Sequence, residues 1–185
     1  MQQTEQNSNQ KRDLARVYNA GLNLLARREH SCKELYQKLS QRFADNLAQQ
    51  AVVSLQQSGL LSDERFAEAL THARMSKGYG PRFIAQELSQ KGVSKAVYDD
   101  IIDEKSPTWI SLATQAADKK IRTTSRLAEA INAVDNEEES AEVQREQQQQ
   151  RLRARQKLSA FLSRRGFPIP MIQEALDAIA CGNHR

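Results

Sequence analysis

The apolar pattern of residues 82–103 returns 74 residues later, over residues 156–177, and this limits the chain more than any other feature. Ile84, Leu88, Val93, Val97, Tyr98 and Ile102 align with Leu158, Leu162, Phe167, Met171, Ile172 and Leu176, so every core-type position stays apolar. Leu88-Ser89 and Gly92 return as Leu162-Ser163 and Gly166. An earlier copy lies 49 residues upstream: Leu35, Leu39-Ser40 and Arg42 match Ile84, Leu88-Ser89 and Lys91, while Val17 and Leu24 match Phe66 and Ala73. A fixed period of this size marks a repeat protein, in which each unit buries its apolar face against a neighbour. Such chains usually present a curved surface that grips another macromolecule, and they are seldom enzymes.

Composition agrees with several small cores in a row. Of 185 residues, 39% are hydrophobic and 5% aromatic, too few for one thick core. No run of 18 apolar residues occurs, so the sequence predicts no membrane span. The polar start, Met1 through Gln10, does not read as a secretory signal and predicts a disordered tail over residues 1–12. Cys32 and Cys181 lack CxxC spacing and read as reduced cytosolic thiols. Charge is uneven along the chain. Residues 1–61 carry 8 basic and 5 acidic side chains, residues 62–105 carry 7 and 8, residues 106–150 carry 5 and 8, and residues 151–185 carry 7 and 2. Basic ends at this density can meet phosphate or an acidic protein surface.

Helical spacing dominates, and the stops and starts are legible. Leu14, Val17, Gly21, Leu24 and Leu25 step by three and four, as do Leu47, Ala51 and Leu55. Ser31-Cys-Lys-Glu34 reads as a capping box, with the Ser31 hydroxyl accepting from an early helical N–H and Glu34 reaching back to the cap N–H. Pro81, Pro107 and Pro170 stand where helices begin, and Gly59, Gly92 and Gly166 where they end. The spacing predicts helices over 13–28, 32–43, 46–58, 63–77, 81–91 and 95–104. A third unit starts near Pro107 on the stripe Trp109, Leu112, Ala113 and Ala116. These divide the chain into repeats at 13–61, 62–105 and 106–185, the last interrupted by a low-complexity insertion at about 123–150. With few large apolar residues, the insertion reads as a solvated helix or a loop.

No catalytic constellation is present in the sequence. Gly78-Tyr-Gly80-Pro-Arg82 lacks the Gly-Lys-Ser/Thr ending of a phosphate-cradling loop. His30, His72 and His184 are scattered, and His30-x-Cys32 has no second pair at zinc spacing, so neither a metal nor another cofactor is expected. The cations are more informative, because two recur at repeat-equivalent places: Arg28, Lys77 and Arg151, and then Arg42, Lys91 and Arg165. A cation before a helix end complements the dipole there, which explains part of the recurrence. A row of charge along one face explains it equally well. The densest cluster is Arg151, Arg153, Arg155 and Lys157 with Arg164 and Arg165. Tyr18, Tyr36, Tyr79 and Phe83 have rings that can stack bases, although tyrosines at helical spacing more often pack half-buried.

Three stretches together resemble the RecX family of bacterial regulatory proteins: Leu24-Leu-Ala-Arg-Arg-Glu-His-Ser-Cys-Lys-Glu-Leu35, Gly59-Leu-Leu-Ser-Asp-Glu-Arg-Phe-Ala67, and Arg74 through Val93 with its Lys-Gly-Tyr-Gly-Pro-Arg core. Lys157-Leu-Ser-Ala-Phe-Leu-Ser-Arg-Arg-Gly-Phe167 is similar to that family's last repeat. The resemblance covers about residues 14–180, and the insertion at 123–150 departs from it. It implies an all-α fold of three tandem three-helix repeats forming an elongated, curved superhelix, right-handed or irregular. It further implies a monomeric, cytoplasmic, nonenzymatic protein whose partner is the RecA filament, with single-stranded DNA inside that filament as a further contact and no membrane. Family members restrain RecA: they oppose its ATP hydrolysis, strand exchange and the coprotease activity behind the SOS response, and so modulate recombinational repair. The residues expected to face the filament are Arg28, Lys33, Arg42, Lys77, Arg82, Lys91, Arg151, Arg153, Arg155, Lys157, Arg164 and Arg165. The rival reading is a stand-alone helical DNA-binding protein that uses its basic C-terminal cluster without RecA.

Overall fold

A computed structural model describes residues 2–132 and 140–182. Among them the chain forms ten α-helices and no strand: α1 (Gln2–Leu25), α2 (Cys32–Ser40), α3 (Asp45–Gln57), α4 (Asp63–Met75), α5 (Pro81–Gln90), α6 (Lys95–Ile101), α7 (Thr108–Arg122), α8 (Ser125–Asn132), α9 (Ala141–Arg164) and α10 (Ile169–Gly182). They fall into two compact units, one holding residues up to His72 with Ala85–Ile102, the other Ala73–Ile84 with Asp103–Arg185.

In the first unit, α1, α2 and α3 pack around Val17, Leu35, Leu39, Ala48, Ala51, Val52, Leu55 and Leu61. Tyr18 and Tyr36 lie half-buried against this cluster, packing as their helical spacing predicts. Helix α1 begins at Gln2, where composition predicts a tail; Gln, Glu, Lys and Arg are good helix formers. Ser31 caps α2 by accepting from the Glu34 N–H at 3.1 Å, and Ser62 caps α4 in the same way, accepting from Arg65 N–H at 3.2 Å. The Asp63 carboxylate accepts the Cys32 N–H at 2.8 Å, which joins the start of α4 to the start of α2.

In the second unit, α7 buries Trp109, Ala113, Ala116, Ala117 and Ile121; α9 buries Ala154, Leu158 and Leu162; α10 contributes Ile172, Ala175, Leu176 and Ile179. The Trp109 indole N–H donates to the Asp103 carbonyl at 2.8 Å. Two backbone bonds fasten the loop before α5 to the end of α9: Gly80 N–H to Arg165 O at 2.7 Å and Arg82 N–H to Gly166 O at 3.1 Å.

The repeat alignment survives at the level of burial. Leu35 and Leu39, Ile84 and Leu88, and Leu158 and Leu162 are each at most 1% exposed. Ala73 departs from its match with Leu24 and is exposed. The insertion at 123–150 is corrected over its first part. Ser125–Asn132 is helix α8, and Leu127 and Ala130, three apart on one face, are buried. Two small-to-medium apolar groups suffice there because α8 needs to cover only one side, against α7 and α9. Residues 141–150 form the largely exposed start of α9, the solvated-helix alternative, and residues 133–139 lie outside the described residues.

Candidate functional site

In the first unit, several of the expected cations are occupied within the fold. The Arg28 guanidinium grips the Glu34 carboxylate with two hydrogen bonds, at 2.8 and 3.1 Å, and also donates to the Glu29 carbonyl at 3.0 Å. Lys91 Nζ approaches the same carboxylate at 3.5 Å. Glu34 therefore does not close the capping box on the Ser31 N–H, because a bidentate charged partner outcompetes a single backbone donor. The Arg28 hydrogen bonds, with the charges of Arg28 and Lys91, hold Glu34 well below the ordinary carboxylate range, at about 2. Ser31, fully buried, donates to the Lys91 carbonyl at 2.7 Å, and Lys33 Nζ donates to the Gln90 carbonyl at 3.1 Å. His30 is 2% exposed and donates from Nδ1 to the Arg28 carbonyl at 2.9 Å; burial lowers its pKa. Ser31, Lys33 and Lys91 thus tie α2 to the C-terminal end of α5, while Arg28 fastens the loop after α1 to α2. Arg42 stands apart, on a shallow depression at the ends of α1 and α2 with Arg27, Lys38 and the half-buried Phe43.

In the second unit, Arg165 is an internal clamp. Its Nη1 donates to the carbonyls of Lys77 and Gly78 at 2.5 and 3.0 Å, and its guanidinium lies 5.1 Å from the Tyr79 ring centre and 4.8 Å from that of Phe161. Tyr79 stacks on Phe83 with centroids 4.3 Å apart, so these two rings pack on each other. Arg155 pairs with Asp177 at 2.6 Å. The Lys77 and Arg82 side chains are exposed. Arg151 lies inside α9, whereas Arg28 and Lys77 each follow a helix end, so the first recurrent cation position is not structurally equivalent in all three repeats.

Arg153, Lys157 and Arg164 line an open groove between α8 and α9. Their spacing of four and seven residues puts them on one stripe of α9. Lys120 from α7 and Arg126 from α8 face the same groove, and Glu129 is the acidic residue on its wall. Lys120 Nζ sits 5.8 Å from the centre of the Phe161 ring. Past Phe161 the surface continues to Lys119, Lys77 and Arg165. Sequence reasoning missed Lys119, Lys120 and Arg126 because they fall in a window whose net charge is acidic. The legible signal was Lys119-Lys120 in the last turn of α7, where cations complement a helix C-terminus. An open groove with this many cations can hold an extended anion. No group of three or more His, Cys, Asp or Glu side chains among the described residues is placed to hold a metal ion.

Known proteins resemble this chain in both sequence and fold. Residues 18–55 match RecX, first three-helix domain, and residues 62–101 match RecX, second three-helix domain. Regulatory protein RecX of Halorhodospira halophila is 39% identical over 105 residues, 56% of this chain and 65% of that protein, so the match spans a little under two thirds of that relative. Regulatory protein RecX of Pseudomonas putida is 32% identical over 162 residues, which cover 87% of this chain and 89% of that protein. The crystal structure of RecX from Lactobacillus salivarius superposes with a TM-score of 0.68 at 20% identity, over 91% of this chain and 97% of that one. A second crystal structure of regulatory protein RecX gives 0.73 at 18% identity, over 96% and 78%. An all-helical chain with tandem three-helix domains, matched in order and along most of its length by proteins of one name, belongs to the RecX family.

Proposed function

We propose that this protein binds the RecA–single-stranded DNA filament and restrains it, lowering RecA ATP hydrolysis, strand exchange and coprotease activity, and thereby tuning recombinational repair and the SOS response. The observation that carries the reading is membership of a family whose named relatives are regulatory proteins, in a chain where Arg126, Arg153, Lys157 and Arg164 line one groove. Binding alone is enough for regulation: a protein that prefers one filament state over another shifts the population toward it. The working units of this reading are the repeats at 13–61, 62–105 and 106–185, acting without catalysis and as a monomer in the cytoplasm. No described helix is long and apolar enough to cross a membrane. The test is RecA's DNA-dependent ATPase with increasing amounts of the full chain. Turnover falls if the reading holds, and the chain alone hydrolyses no nucleotide. Unchanged RecA turnover at equimolar protein overturns it.

A further inference from the structure

We infer that the depression at the ends of α1 and α2 is a docking site for an acidic segment of another protein, anchored by an apolar side chain. It lies wholly in the first unit and shares no residue with the groove between α8 and α9. Arg27, Lys38 and Arg42 line a space of about 770 Å³ together with Leu24, Leu39 and Phe43, and among the described residues no carboxylate lines it. The cations stand on ordered turns. The Arg27 N–H donates to the Leu24 carbonyl at 3.2 Å, and the N–H groups of Arg42 and Phe43 both donate to the Leu39 carbonyl at 3.0 Å. Glu29 and Glu34, the two carboxylates between Arg27 and Lys38 in the chain, pair instead with Arg65 and Arg28.

A cation in the last turn of a helix complements the dipole there, which accounts for Lys38. It does not account for two exposed arginines beyond the helix ends, nor for Leu24 and Phe43 left half-buried beside them. Charge and apolar surface in one depression together select the occupant. A phosphodiester strand would meet the three cations and leave Leu24 and Phe43 against water. A peptide with carboxylates flanking a large apolar side chain satisfies both. The flat arginine fork also suits a carboxylate through two parallel hydrogen bonds, as Arg28 shows on Glu34. The inference does not rest on the filament reading, because what is recognised is the chemistry of a short segment.

Fluorescence anisotropy of the full chain with a labelled peptide, a Phe-Leu pair between two runs of Glu, tests the site. Replacing the Phe-Leu pair by Ser-Ser keeps the charge and should weaken binding at least about tenfold, through lost apolar burial. Both peptides meet the same wild-type protein, so a folding defect cannot mimic this loss. The triple variant Arg27→Gln, Lys38→Gln, Arg42→Gln should bind the parent peptide at least about tenfold more weakly. The triple Arg126→Gln, Arg153→Gln, Lys157→Gln removes the same charge from the second unit and should change affinity by less than about threefold. Equal binding of the two peptides, unchanged affinity in the first-unit triple, or equal losses in both triples overturns the proposal. So does displacement of the peptide by oligothymidylate of matched charge as readily as by unlabelled peptide, because the depression would then suit phosphate. Sedimentation without peptide adds a last arm: self-association that the first-unit triple abolishes would give the depression to a second copy of this chain and overturn the proposal. RecA is absent throughout, so this result stands or falls separately from the ATPase assay.

Discussion

Gly166 and Phe83 meet backbone to backbone: a Cβ built on Gly166 would lie 2.3 Å from the Phe83 nitrogen and 2.5 Å from its Cβ. Gly166 also has φ of +86°, a conformation in which a side chain crowds the following carbonyl. Two penalties therefore coincide at one residue.

Gly166→Ala should destabilise the protein by about 2–4 kcal/mol, combining the left-handed strain with a clash against unyielding backbone. Its repeat counterpart Gly92, at φ +83°, faces the side chain of Lys33, with Cδ at 2.7 Å from a built Cβ. The Lys33 Cδ can swing aside but its Cβ, at 2.8 Å, is fixed to the α2 backbone, so Gly92→Ala should cost about 1–3 kcal/mol, less than Gly166→Ala, whose added Cβ meets main-chain atoms directly. Urea unfolding of both variants checks the order; equal losses would show that the approach to Phe83 carries no cost.

Glu34 makes acid stability predictable in direction. Its folded pKa of about 2 lies below the ordinary 4.5, so its contribution is fully present above about 4.5. It is lost as pH falls toward about 2. Glu34→Gln should lower stability near neutral pH by about 1 kcal/mol, a modest effect because Arg28 is half in water. The variant should also lose a smaller share of its stability than the wild type between those two pH values. Denaturation midpoints measured across that range provide the check.

Arg165→Ala should destabilise the second unit by about 2–3 kcal/mol, since it strips two carbonyls of their donor and uncovers Tyr79 and Phe161. Arg165→Lys should recover less than half of this, because an ammonium lacks the flat fork that serves carbonyls and rings together. Thermal unfolding of the two variants separates the planar group from its charge.

The two thiols should differ sharply in reactivity. Burial, with Asp63 beside it, pushes Cys32 up to about 12, whereas Cys181 is exposed. Maleimide at neutral pH should modify Cys181 first and leave Cys32 largely free until the protein is unfolded, as peptide mass spectrometry would show.

The sequence revealed features that depend on neighbours along the chain. Capping by Ser31, the start of α5 at Pro81 and the left-handed turns at Gly92 and Gly166 are set within a few residues, and each stands where spacing puts it. The aligned pairs Leu35–Leu39, Ile84–Leu88 and Leu158–Leu162 are buried for the same reason. What spacing could not convey was competition between distant groups. Glu34 leaves its capping role for Arg28 and Lys91, and Arg165 turns inward to the carbonyls of Lys77 and Gly78. Helix α8 was hidden because its stripe of Leu127, Ala130 and Ile131 is only about two turns long and sits at the edge of a stretch whose composition is otherwise polar.

The division of the chain between its two compact units has a consequence for synthesis. The polypeptide passes from one unit to the other after His72, returns after Ile84 and leaves again after Ile102. Emerging from a ribosome in order, Ala73–Ile84 appears before the first unit is complete and before any other part of the second exists. The nascent protein must carry that stretch unpartnered until Asp103 and the residues beyond it follow. Neither unit is one continuous segment, so cutting the chain at a repeat boundary, after residue 61 or 105, does not release an intact unit together with an intact remainder.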